Sequence, residues 1–242
     1  MAIRVFNSSE EASRALAEYF VATGNEAIAA RGRFAVALSG GSSPKKLFEL
    51  LAADYRDQLA WDKVDFFWGD ERYVPHTDPN SNYLMAKRAL LDPLGIKPAQ
   101  IFAVDTSLSP SEAAAAYTHT MQRYFGSEDS LPLDLDLLGL GDNAHTASLF
   151  PHTSVLTDES VSVQALYIDE IQANRITMTA PLLNQARSTI FLVYGEGKAE
   201  AVRQILEEER DIQRYPAQLI QPTNGNVTWY LDEAAASKLT QK

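Results

Sequence analysis

The chain has 242 residues, 21 of them Lys or Arg and 32 Asp or Glu, for a formal net charge of −11. That balance excludes nucleic acid and anionic membrane as main partners, since both recruit clustered cations. It leaves a small anionic ligand open, because a pocket answers to the few charges that line it. At 45% hydrophobic, 22% charged and with no cysteine, the chain is long enough to bury a full core, and disulfides, thiolate nucleophiles and sulfur-ligated metals are excluded.

Residues 8–30 space Ala12, Leu16, Tyr19, Phe20 and Ala27 close to the i, i+4 period of an amphipathic helix. A strand over 33–38 follows, then a helix over 44–53, a strand over 64–68, a helix over 81–91 and a strand over 101–104. Beyond these, 109–125 reads as helix and 133–138 as strand. Strands over 175–179, 189–194 and 226–231 and helices over 197–208 and 232–239 complete the pattern. The alternation predicts an α/β fold, a mostly parallel sheet covered by helices on both faces, in a single domain over residues 1–242. The N-terminal stretch lacks the pattern of a signal peptide, and no apolar run approaches the ~20 residues of a membrane span. A cytoplasmic protein is expected.

Ligands of such sheets bind beyond the carboxyl ends of the strands. The first loop of that kind runs through Ser39, Gly40, Gly41, Ser42 and Ser43 to Pro44. Its glycines leave backbone N–H groups open beside a helix start, which suits a phosphate, with Ser42 or Ser43 as N-cap and Pro44 at the first helical position. A tight, well-capped turn has the same appearance. The spacing matches neither a P-loop nor a G-x-S-x-G elbow.

A second loop opens on Asp70, Glu71 and Arg72 at the end of an apolar strand, where three adjacent charges are costly unless paired or turned to a ligand. The third contains Gly139, Gly141 and Ala144, a G-x-G-x-x-A match. Pro151 leaves only about two turns for the long helix that a dinucleotide fingerprint requires. What remains is a flexible turn presenting His145. The other histidines are His76 and His152 in loops and His119 on the 109–125 helix. No ligand cluster of metal-site spacing occurs, so a metal site is not expected. His145 has small neighbours and an ordinary pKa near 6.5, which suit a general base. Finally, Arg175 opens one strand and Lys198 begins a helix, where a cation opposes the helix dipole unless an anion sits between them.

These segments in this order, LSGGSSP (38–44), DERYVP (70–75) with SNY (81–83), GLGDNAHTASLFP (139–151), RITMTAPLLNQAR (175–187) and VYGEGKAEAV around Lys198, resemble the 6-phosphogluconolactonase family over nearly the whole chain. The resemblance implies a Rossmann-like three-layer αβα sandwich related to glucosamine-6-phosphate deaminase. It also implies hydrolysis of 6-phosphoglucono-1,5-lactone to 6-phosphogluconate in the oxidative pentose phosphate pathway, without metal or organic cofactor. On this reading the phosphate lies against residues 39–43 with Lys198 and Arg175. His145 activates water, and Arg72 or backbone N–H groups of the 139–145 turn hold the oxyanion. The expected partner is a small-molecule substrate, and the expected state a monomer or weak homo-oligomer. Where the family usually reads Gly-x-Asp-Gly-His, this chain has Asn143 and Ala144. Asn143 cannot offset an imidazolium charge, so Asp70 or Asp142 is a candidate to compensate. A deaminase-like isomerase, or a sugar-phosphate-binding protein without catalysis, are the alternatives.

Overall fold

A computed structural model describes residues 1–222 and 226–240. In chain order the first half comprises β1 (Ala2–Phe6), α1 (Ser9–Arg31), β2 (Phe34–Leu38), α2 (Ser42–Asp54), β3 (Val64–Trp68), β4 (Asp70–Arg72), α3 (Asn82–Ala86), α4 (Asp92–Leu94) and α5 (Pro110–Phe125). The second half adds β5 (Leu135–Leu138), β6 (Val163–Ile168), β7 (Ala173–Met178), α6 (Ala180–Leu183), β8 (Ser188–Val193), α7 (Ala199–Glu207) and β9 (Asn226–Asp232).

Six strands form one parallel sheet in the order β1-β9-β8-β5-β2-β3. Its central strands are buried along their whole length, as expected of a parallel sheet covered on both faces, and so they read as continuous apolar runs. One face packs Leu135, Leu137 and Ile190 with Leu16, Phe20, Leu47 and Phe48 of α1 and α2. The other packs Ala37, Phe67 and Phe191 with Ala113, Tyr117 and Met121 of α5 and Ala201 and Val202 of α7. The α/β expectation therefore holds, with helices on both faces.

Local signals account for the boundaries. Ser8 caps α1 by accepting from the Glu11 N–H, and Gly32, at φ 76°, ends it in the left-handed region, the usual pair of helix punctuation marks. Helix α2 departs from expectation. It starts at Ser42, with Gly41 (φ 109°) as N-cap and no side-chain cap, because only glycine takes that backbone angle comfortably. The expected 81–91 helix is α3 continued through a π turn, Lys87–Leu91, into α4.

Two expected elements are absent. Residues 101–104 make a single bridge, Phe66 to Ile101, at the open edge of β3. The expected helix over 232–239 is a series of turns. The Asp232 carboxylate accepts from the Gly195 and Ala235 N–H groups, and the residues after it close only single turns, such as Ala236 N–H to Asp232 O and Leu239 N–H to Ala236 O. Conversely, the pattern concealed β1, β4 and β6. The short β4 joins β7 and β6 in a separate antiparallel sheet, β4-β7-β6, which is carried on α5. No described helix is long and apolar enough to cross a membrane.

Candidate active site

From β2 the chain steps outward to β3, then returns past β2 to β5 and on to β8 and β9. The loops after β2 and β5 therefore diverge, and such a switch point leaves a crevice at the strand ends. The two loops touch: a Cβ added to Gly139 would lie 3.9 Å from the Gly40 carbonyl oxygen. Between them opens a cleft of about 230 Å³ lined by Ser39, Gly40, Gly41, His145 and Lys198, with Asp70 and Arg72 opposite. Thus seven of the expected site residues, Ser39, Gly40, Gly41, Asp70, Arg72, His145 and Lys198, converge, although they come from four separate stretches of chain.

Ser42 and Ser43 do not line this cleft. They form the uncapped first turn of α2, where backbone N–H groups have no intrahelical acceptor. Ser39 Oγ is buried without a hydrogen-bond partner among the described residues. The Gly40 loop must stay bare, since a Cβ on Gly40 would meet Asn82 Oδ1 at 1.9 Å.

His145 lies in the 139–145 turn, which does not lead into a helix. A Cβ on Gly141 would fall 2.0 Å from His145 Nδ1, so glycine is what lets the ring fold back over its own turn. The other ring face stacks on Phe150, with centroids 3.8 Å apart. His145 Nδ1 meets Asn143 Oδ1 at 2.5 Å, and Asn143 Nδ2 donates to Glu170 Oε1 and Oε2 at 3.1 and 3.0 Å. Burial, then the nearby cations Lys198, Arg175 and Arg72, push the His145 pKa down to about 4, with Asp142 opposing. At neutral pH the ring is therefore uncharged.

Arg72 and Arg175 are register partners on β4 and β7. Arg175 does not line the cleft itself; burial and the Arg72 charge lower its pKa. Arg72 Nη1 donates to the Asn80 carbonyl at 3.0 Å, and its Nε is buried without a partner. Of the 139–145 turn amides, three are already used: Gly141 N–H donates to His145 O, Ala144 N–H to Gly141 O, and His145 N–H to Asn143 Oδ1. The side chain of Arg72 and the remaining turn amides are both left as candidate donors.

Asp70 accepts from Ser148 Oγ at 2.7 Å and Asn82 Nδ2 at 3.3 Å, and Asp142 pairs with Lys198 Nζ at 2.5 Å. Neither bonds to His145; Glu170 is the acid that reaches it, through Asn143. Glu71 turns away from the cleft and accepts from the backbone N–H groups of Arg72, Asn82 and Tyr83, although burial pushes its pKa up. His76 bonds the Val104 carbonyl and packs on Tyr83, a structural role, while His119 is exposed on α5 and His152 on a loop. Sequence reasoning missed Glu170, which no spacing connects to His145. It also passed over Asn82 and Ser148, although both lie inside quoted motifs.

The chain matches the sequence profile of glucosamine-6-phosphate isomerases/6-phosphogluconolactonase over residues 7–229. It is 45% identical over 218 residues to a 6-phosphogluconolactonase of Nostoc sp., covering 88% of each chain. Its structure superposes on a 6-phosphogluconolactonase from Trypanosoma cruzi with a TM-score of 0.87 at 27% identity, over 99% of this chain and 97% of that one. A monomeric glucosamine-6-phosphate deaminase shares the fold, with a TM-score of 0.81 at 22% identity over 98% and 99%. The chain belongs to the glucosamine-6-phosphate isomerase/6-phosphogluconolactonase family.

Proposed function

We propose that the chain hydrolyses 6-phospho-D-glucono-1,5-lactone to 6-phospho-D-gluconate, the lactone-opening step of the oxidative pentose phosphate pathway, as a single-domain cytoplasmic enzyme working without a metal. The observation that carries this reading is an uncharged imidazole, His145, held at Nδ1 by Asn143 in a cleft that also presents Lys198, Arg72, Asp70 and a bare glycine loop. Two cations beside one imidazole, with the one carboxylate already accepting from Ser148 and Asn82, suit a phosphorylated, carbonyl-bearing substrate better than a metal ion.

The phosphate is placed against residues 39–43 with Lys198, and Arg175 adds its charge from behind Arg72. Binding energy from that remote end orients the lactone carbonyl. His145 Nε2 takes a proton from water as the water oxygen bonds to C1. The carbonyl electrons move onto oxygen, and the Arg72 guanidinium stabilises the resulting oxyanion. When the intermediate collapses, the bond from C1 to the ring oxygen breaks, and the proton on His145 passes to that oxygen. The acid product then ionises, and the base is returned neutral.

The test is purified protein with freshly made lactone. Loss of lactone faster than the spontaneous rate, without ammonia release from glucosamine 6-phosphate, supports the reading. Phosphosugar binding with no turnover replaces it with a binding protein, and ammonia release replaces it with a deaminase.

A further inference from the structure

Glu170 stands in the 3-10 turn Asp169–Ile171 between β6 and β7, 27 residues from Asn143. Nothing in its local sequence marks it. Yet Asn143 Nδ2 donates to both of its carboxylate oxygens, while Asn143 Oδ1 faces His145 Nδ1. A carboxylate only accepts. It therefore holds the Asn143 amide with NH2 toward Glu170 and oxygen toward the ring, the sense that the His145 backbone N–H, at a long 3.4 Å from Asn143 Oδ1, also favours. With its oxygen on Nδ1, the amide needs an Nδ1–H, which leaves the Nε2 lone pair free. An amide turned the other way would donate to Nδ1, move the ring proton to Nε2, and remove the base from the cleft.

An Asp at 143 would accept whichever way it turned and would need no third group, whereas the Asn amide must be held. We infer that Glu170 is a positioning residue for the base: it holds the Asn143 amide, and through it the Nδ1–H tautomer of His145, doing what a carboxylate at 143 would do. Other side chains around the ring do not perform this task. Lys198, Arg175 and Arg72 act on the ring as charges, Phe150 packs on its face, and Asp142 is engaged by Lys198.

The kinetic part of this inference rests on the lactonase reading; the tautomer is a property of the free protein. ¹⁵N NMR of the full chain at neutral pH, with His145 assigned by its loss in His145→Gln, is expected to show the Nδ1–H form, and Glu170→Ala to populate both tautomers. With lactone, Glu170→Ala is expected to lower kcat about 3- to 10-fold, a modest loss because the pair is exposed to solvent. The decisive arm is the Asn143→Asp background. There Glu170 faces another carboxylate, so Glu170→Ala is expected to leave kcat unchanged or raise it. An equal loss in both backgrounds, or tautomer populations indifferent to Glu170→Ala, overturns the inference. A wild-type chain without lactonase activity overturns the functional reading instead, and the NMR arm still decides the role of Glu170.

Discussion

One wall of the cleft is loop and the other is strand. The loop wall, residues 39–41 and 139–145, hangs from the carboxyl ends of β2 and β5 and offers open backbone plus one imidazole. The strand wall sets Arg72 of β4 beside Arg175 of β7 at fixed register, and Glu71 anchors it by gathering three backbone N–H groups. On the loop wall Gly40 and Gly141 tolerate no Cβ, because the Asn82 and His145 side chains already fill that space. On the strand wall the side chains project from backbone that must be pinned. The first wall is therefore vulnerable to added atoms, the second to lost hydrogen bonds.

The largest expected effect breaks the loop wall at its base. His145→Ala should lower kcat by about 10²- to 10⁴-fold in the lactone assay while leaving the affinity for 6-phosphogluconate nearly intact. The wild-type ring should titrate near pH 4 in the free protein. Saturating 6-phosphogluconate should move that midpoint upward, since a phosphate dianion offsets the cations that disfavour a second proton. A midpoint unmoved by product would separate the cations from the base.

The strand wall is tested next. Arg72→Ala should cost about 10²-fold in kcat if its guanidinium serves the oxyanion, and Arg72→Lys, which keeps the charge but loses the planar fork, should recover little of it. Full recovery with Lys would make the wall a source of charge alone. At the mouth of the cleft, Lys198→Ala should raise KM about tenfold as one charge-assisted phosphate contact is lost. Asp142→Asn should lower KM only a few-fold, because that carboxylate is 82% exposed and such pairs are weak.

The smallest effect concerns the floor where the walls meet. Asp136 on β5 lies fully buried among the core strands, with no partner for either carboxylate oxygen among the described residues, and burial, then the Asp70 charge, push its pKa up to about 8. Between the ordinary carboxylate range and pH 8 only the folded state holds this proton, so folding stability falls as pH rises through that window and levels off above it. The Tm of Asp136→Asn should therefore gain on wild type from pH 4 to pH 8, by about 2–4 °C for each ~1 kcal/mol recovered. A constant difference across that range would refute the assignment of a neutral Asp136.

The parallel sheet was legible because burial on both faces makes strands such as β2 (FAVAL) and β8 (STIFLV) almost continuously apolar. The small antiparallel sheet was not. Its strand β4 is three charged residues, Asp70 to Arg72, and their strand character comes entirely from pairing with β7. At the site, loops following strands were readable as candidates, and most of the residues singled out do converge. Orientation was not readable. That Glu71 points into α3 while Arg72 faces the cleft follows from strand alternation in an element that the pattern concealed, and the Asn143–Glu170 contact is purely tertiary.

The pairing of Lys198 with Asp142 has a consequence for selectivity among small solutes. Lys198 sits at the N-cap of α7, where a positive group has the helix dipole against it, and Asp142 is the negative group that relieves this. On the proposed reading, an anion that binds Lys198 competes with that resident carboxylate. A singly charged competitor such as chloride or acetate would merely exchange one negative charge for another and gain little. A doubly charged phosphate ester would gain a further unit of attraction. The pairing would thus act as a valence filter, favouring dianions over the abundant monoanions.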